Sequence, residues 1–305
     1  MTSNLLSLEN LNKTELLNII DITHKLKIGG DTENGILSGK TLILIFQKPS
    51  TRTRASFELA MKHLGGCVLY LGWQEAQLGR GETISDTSRV LGRYADCIVA
   101  RVYLQSEVEE ISRYAKVPVI NALSNEYHPT QAITDIYTLW EKKKELEGLK
   151  IAYIGDGNNV CNSLLIGCSK VGINIDVASP SGYSPLSKAL TIARKNAKRA
   201  GSTVNMYTDP LKAAMDADVV YTDTFVSMGC EEEKTERERV FLPKYQITSR
   251  IFDYTADDAV FMHCLPAHRG DEVVDEVIDG PKSIVWDQAE NKLHVAKAIL
   301  TYLLG

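Results

Sequence analysis

Short apolar runs, each followed by a stretch with helical spacing, recur along this chain and restrict it to one kind of fold. "TLILIFQ" (Thr41 to Gln47), "CVLYL" (Cys67 to Leu71), "CIVARVY" (Cys97 to Tyr103) and "VPVINA" (Val117 to Ala122) are too short for helices and rich in β-branched residues. Strands that alternate with helices are joined by crossovers, so neighbouring strands run parallel and helices cover both faces of the sheet. A long helix beginning near Thr130 runs through "QAITDIYTLWEKKKELEG". The alternation then restarts with "KIAYIGD", "INIDVAS", "TVNMYT", "DVVYTDT", "AVFMHCL" and "SIVWDQ". The pattern predicts an α/β protein of two doubly wound parallel-sheet domains of similar size, residues 1–142 and 143–288. Residues 289–305, with "AENKLHVAKAILTYLL", form an amphipathic helix returning to the first domain. A length of 305 residues is enough for two separate cores.

Composition narrows the function. A net charge of −5 and a sequence pI near 5.8 argue against a general nucleic-acid surface, so any anion site must be a local gathering of arginines and its ligand small. The opening "MTSNLLSLENLNKTELLNII" lacks a basic region followed by an apolar core, and no later stretch approaches a membrane span, so a soluble cytoplasmic protein is expected. The six cysteines form no C-x-x-C pair and are expected as reduced thiols. His263 and His268 stand apart in sequence from other plausible ligands, and the expectation is that no metal binds.

One such gathering of arginines is "KPSTRTRAS", Lys48 to Ser56, where the run "TLILIFQ" gives way to helical spacing. First-turn N–H groups lack intrahelical partners and the helix dipole favours negative charge, so Ser50, Thr51, Arg52 and Thr53 suit a phosphate. The same residues also fit a capped helix with two solvated arginines. Arg101 closes a strand, where a salt bridge would serve as well as an anion. "YHPTQ" sets His128 and Gln131 at the start of the long helix, with Pro129 suited to its first position.

The second half offers fewer charges. "GDGNNV", Gly155 to Val160, resembles a dinucleotide turn but has Val160 where the third glycine belongs. Its Asn158 and Asn159 suit either helix caps or donors to a carboxylate. "TDTFVSMG" places Asp223, Ser227, Met228 and Gly229 beyond one strand, and "MHCLPAHRG" places Cys264 and Leu265 beyond another. Adjacent strand residues point to opposite faces, so His263 and Cys264 make a poor nucleophile–base couple. "EEEKTERERV", Glu231 to Val240, reads as a solvated helix face.

Taken together, "STRTR", "HPTQ", "DTFVSMG" and "HCLP", in this order and across essentially the whole chain, resemble the aspartate/ornithine carbamoyltransferase family. Within it, "SMG" with "HCLP" points to ornithine over aspartate. The resemblance implies transfer of a carbamoyl group from carbamoyl phosphate to the δ-amine of L-ornithine, giving L-citrulline and phosphate, with no cofactor and no metal. It assigns the phosphate to Ser50, Thr51, Arg52 and Thr53, and the carbamoyl group to Arg101, His128 and Gln131. Gln77 would come from a neighbouring subunit, implying a homotrimer or a higher assembly of trimers. Asn159, Asp223, Ser227 and Met228 would hold ornithine, with Cys264 and Leu265 where the amine meets the carbamoyl carbon. Catalysis would fall to Arg52, Arg101, His128 and Cys264.

Lys292 departs from the family pattern, which usually has arginine there contacting carbamoyl phosphate. Lysine keeps the charge but loses the planar fork. Lys292→Arg is therefore expected to keep or raise turnover, and a folded variant with severely reduced turnover would contradict this. Putrescine and acylated ornithine are rival acceptors in the family, but Asp223 would meet no α-ammonium in putrescine. A nicotinamide-dependent dehydrogenase is opposed by the broken glycine pattern. A non-catalytic binding module leaves the second group of strand-end residues without a use.

Overall fold

The computed structural model describes residues 4–29, 35–226 and 231–305. These fall into two compact units, residues 1–137 with 290–305, and residues 138–289. Both divisions fall inside helices, where composition gives no break.

In the first unit, α1 (Lys13–Ile28) precedes β1 (Thr41–Phe46), α2 (Thr51–His63), β2 (Cys67–Gly72), α3 (Ile84–Leu91), β3 (Cys97–Arg101), α4 (Gln105–Ala115) and β4 (Val119–Leu123). The sheet is entirely parallel, in the order β2-β1-β3-β4. Ile43, Ile45, Ile98 and Ala100 pack with Val108 and Ile111 of α4, while the alternate residues Leu42, Leu44, Cys97 and Val99 are equally buried. Burial on both faces explains why these strands read as unbroken apolar runs. β2, at the edge, leaves Cys67 and Leu69 exposed.

After α5 (Pro129–Lys143), the second unit runs through β5 (Lys150–Ile154), α6 (Asn159–Val171), β6 (Asn174–Ala178), α7 (Ser187–Ala200), β7 (Val204–Tyr207) and α8 (Pro210–Ala214). It continues with β8 (Val219–Thr222), α9 (Lys234–Phe241), β9 (Val260–His263), α10 (Asp275–Ile278) and the start of α11 (Val285–Leu304). Its parallel order is β7-β6-β5-β8-β9. Each sheet therefore reverses its winding once, beside β1 and β3 in the first and beside β5 and β8 in the second. At such switch points adjacent loops leave the carboxyl edge in opposite directions, and that is where open α/β sheets bind ligands.

Two sequence expectations are corrected. "SIVWDQ" is not a strand: Ser283 makes a single bridge to Phe261, and α11 begins at Val285. Ile284, Val285, Gln288, Asn291, Lys292 and Val295 are buried while Trp286 is exposed, which is a helical period that three adjacent apolar residues conceal. Nor is "EEEKTERERV" a wholly solvated face. Arg237 is buried, and its guanidinium donates to Asp156 at 2.7 Å, to Glu233 at 2.8 Å and to the Phe225 carbonyl at 3.1 Å.

Candidate active-site residues

In the first unit, the chain leaving β1 turns through Pro49 so that Ser50 caps α2, its Oγ accepting from the Thr53 N–H at 3.3 Å. Thr51, Arg52 and Thr53 occupy the first helical turn, where the backbone N–H groups and dipole present positive charge. The two arginines of the motif diverge. Arg52 is half-buried, whereas the exposed Arg54 pairs with Glu58 at 2.7 Å and lies 3.6 Å from the centroid of Tyr70. Lys48, a residue sequence reasoning did not single out, is buried with its ammonium 4.3 Å from the Tyr103 ring centroid.

Arg101 ends β3 opposite Phe46 of β1, so it and the Ser50 loop flank the switch point. It is buried, as are His128 and Gln131 at the head of α5, which follows β4. Burial lowers the His128 pKa well below the usual histidine range, and Lys292 and Arg101 push it the same way. The imidazole is therefore neutral at pH 7, with one N–H to donate and one nitrogen to accept; Thr130 Oγ1 lies 3.4 Å from its Nδ1. Gln131 donates to Asp135 at 2.7 Å and accepts from Lys292 Nζ at 2.5 Å. Lys292 and Gln131 thus form a buried pair at the head of α5. Ser50 to Thr53, Arg101, His128, Gln131 and Lys292 all belong to one edge of one unit. Gln77 is exposed, on a short 3-10 turn after β2.

In the second unit the loops after β5, β8 and β9 carry the expected residues. Gly157 stands where any Cβ would come within 2.2 Å of the Pro185 nitrogen, so this glycine serves close packing of the turn. Asn158 caps α6, its Oδ1 accepting from the Val160 and Cys161 N–H groups, while its Nδ2 donates to Asp223 Oδ2 at 2.7 Å across the switch point. Asp223 Oδ1 also accepts from the Thr224 N–H at 2.8 Å and from the Cys264 thiol at 3.0 Å. Asp223 and Cys264 are brought together. The expected Asn159 is the first residue of α6, and the printed contact to Asp223 is made by its neighbour Asn158, which local sequence could not separate from it. Leu265 follows Cys264 with φ of +57°. Ser227 and Met228 lie outside the described residues.

Asp156 sits beside this cluster. Burial raises its pKa, while Arg237 holds it down. His263 and His268, distant from other ligand types in sequence, are near them in space: Asp223, His263 and Cys264 form one group of potential ligands, and His268, Asp271 and Glu272 another. Both ring nitrogens of His263 are already engaged, Nδ1 accepting from the Leu265 N–H at 2.9 Å and Nε2 donating to Glu272 Oε1 at 3.1 Å. A metal at the first group would have to displace one of those bonds.

A capped helix N-terminus with Arg52 and Arg101 stands at one sheet edge, and a hydrogen-bonded carboxylate at the edge of the other. Comparison with known proteins identifies the family. Residues 3–141 match the carbamoyl-P binding domain of aspartate/ornithine carbamoyltransferases, and residues 147–303 match their Asp/Orn binding domain. The chain belongs to the aspartate/ornithine carbamoyltransferase family. It is 52% identical over 303 residues to the ornithine carbamoyltransferase of Pyrococcus horikoshii, covering 99% of this chain and 95% of that protein. It is 51% identical to the Bacillus subtilis enzyme of the same name, over 88% of this chain and 84% of that one. Among solved structures, ornithine carbamoyltransferase from Pyrococcus furiosus superimposes with a TM-score of 0.95 at 50% identity, covering 100% of this chain and 97% of that one. Among the described residues no helix is long and apolar enough to cross a membrane.

Proposed function

We infer that this chain transfers the carbamoyl group of carbamoyl phosphate to the δ-amine of L-ornithine, releasing L-citrulline and phosphate, in arginine metabolism. The observation that carries the reading is the gathering of the α2 N-terminus, Arg101, neutral His128 and the Gln131–Lys292 pair at a single switch point. That arrangement suits a small ligand with a phosphate at one end and a carbonyl at the other.

In this reading Ser50, Thr51, Arg52 and Thr53 hold the phosphate, and Arg101, His128 and Gln131 donate to the carbamoyl oxygen. His128 acts as a neutral donor, since a proton added there would stand against Arg101 and Lys292. Asp223 pairs with the α-ammonium of ornithine and Asn159 contacts its amino-acid end, with Ser227 and Met228 assigned to the same substrate. Cys264 and Leu265 border the reacting amine. That amine has a solution pKa of about 10.4, so the site must select its neutral form. Its lone pair attacks the carbamoyl carbon, the oxyanion is met by aimed donors, and the C–O bond to phosphate breaks as the proton lost by the attacking nitrogen passes to the leaving phosphate, whose charge is held by Arg52 and the helix N-terminus. The reaction as written needs no cofactor or metal. The assembly is read as a homotrimer, or trimers assembled further, with exposed Gln77 reaching a neighbouring site, in a cytoplasmic protein.

The test is steady-state turnover of purified protein with carbamoyl phosphate and, separately, ornithine, putrescine, N-acetylornithine, aspartate or no amine. Ornithine-dependent citrulline, matched by phosphate, is expected. Turnover with another acceptor alone would overturn the assignment of Asp223.

A further inference from the structure

Tyr153, on β5, is fully buried and has no part in the chemistry described above. With no exposed surface it meets no substrate, so any role it has is carried by its neighbours. Its ring stacks on that of Tyr221, with centroids 5.7 Å apart and planes 21° from parallel. The two residues are partners in the pairing of β5 with β8, the strands that flank the switch point of the second unit.

A buried phenol needs a partner for its hydroxyl, and this one finds it in the turn that follows its own strand. The hydroxyl donates to the Asp156 carbonyl at 2.9 Å and lies 3.3 Å from Asn158 Oδ1, a second acceptor for the same hydrogen. Burial, with Cys161, Asp223 and Asp156 nearby, pushes the phenol pKa well above its ordinary 10, so the hydroxyl remains a donor at neutral pH. The Asp156 carbonyl also takes the Asn158 N–H at 2.8 Å, so side chain and backbone close the turn at one oxygen.

The amide of Asn158 then has a single orientation. Donors converge on its Oδ1: the N–H groups of Val160 and Cys161 at 3.0 and 3.2 Å, and the Tyr153 hydroxyl. Its Nδ2 faces away from them and donates to Asp223 Oδ2 at 2.7 Å. A rotated amide would set N–H against N–H at one end and a carbonyl oxygen against a carboxylate at the other.

We propose that Tyr153 is a positioning residue for the acceptor half of the reaction: by pinning the turn 156–158 and the Asn158 amide, it sets where Asp223 holds the amino-acid end of ornithine. The inference rests on the ornithine-transfer reading, and wild-type turnover separates the two. An enzyme inactive with ornithine overturns both, whereas an active enzyme indifferent to the Tyr153 hydroxyl overturns only this one.

The experiment compares Y153F and N158D, singly and together, with wild type. Y153F keeps the ring and removes the hydroxyl, and the ornithine KM is expected to rise about three- to tenfold, with kcat and the carbamoyl phosphate KM within about twofold. N158D still caps α6, since aspartate caps as well as asparagine, but sets a carboxylate against Asp223, so a rise of about thirtyfold or more is expected. Inhibition by L-norvaline, which has the α-amino-acid end of ornithine and no δ-amine, should weaken by the same factors. Because Tyr153 acts through Asn158, adding Y153F to N158D should change the ornithine KM by less than about twofold. A folded Y153F with the wild-type ornithine KM, equal changes in both KM values, or full additivity in the double variant would overturn the proposal. Should Y153F fail to fold, Tyr153→4-fluorophenylalanine fills the volume of the hydroxyl without its hydrogen, and an unchanged ornithine KM there would overturn the proposal equally.

Discussion

The two units prepare their sheet edges with opposite charge. At the first, burial lowers the pKa of His128, with Lys292 and Arg101 acting the same way, and the N-terminus of α2 on the same sheet edge is positive. At the second, burial raises the pKa of Asp156 although Arg237 holds it down, and Asp223 lies near enough to add to the rise. One edge is short of negative charge and the other carries it. In the proposed reaction a dianion would meet the first edge and an ammonium the second, so the two edges would differ in the sign of charge that they accept.

The largest test of this contrast is Arg52→Ala. Loss of a charged donor to the leaving phosphate should lower kcat/KM for carbamoyl phosphate by about 10³. The stabilisation of the protein by inorganic phosphate in a thermal melt should weaken with it. Near-normal turnover at low carbamoyl phosphate would remove Arg52 from the site. A smaller effect is expected at the opposite edge. Asp223→Asn should raise the ornithine KM by some ten- to hundredfold while leaving the carbamoyl phosphate KM within about threefold, since it deletes one charged hydrogen-bonding partner. Equal changes in both constants would mean that the two edges are not chemically separate.

The smallest effect is on stability. The His128 pKa lies below its ordinary value of 6.5, so between the two the unfolded chain holds a proton that the folded one lacks. Stability from this group is complete above that value and is lost as pH falls below it, with a slope of at most about 1.4 kcal/mol per pH unit. In urea titrations at pH 7 and 5.5, His128→Gln should show a shallower loss than wild type. An identical pH dependence in the two proteins would show that folding does not lower the His128 pKa.

Much of this could be read from sequence. The strands were legible because both faces of each sheet are buried, which leaves unbroken apolar runs, and the site motifs because each follows directly on such a run. What escaped depends on contacts between distant residues. Arg237 reaches Asp156 across 81 positions, and within a charged run it looks like any solvated arginine. Glu272 lies nine residues from His263 with no periodicity to join them. Asn158 and Asn159 are the same residue type side by side, and only the helix start decides which one caps and which one begins the helix. The false strand at residues 283–288 arose from the reverse situation, a local apolar cluster whose true period emerges only over the whole of α11.

The bond between Lys292 and Gln131 joins residues 161 positions apart. At a synthesis rate of roughly 5–20 residues per second, a growing chain carries His128 and Gln131 for on the order of ten to thirty seconds before Lys292 exists. All of the second unit is made in that interval. The donor edge of the nascent protein is therefore short of one of its cations until the chain is nearly finished, so the order of translation delays its completion until the acceptor unit has been synthesised.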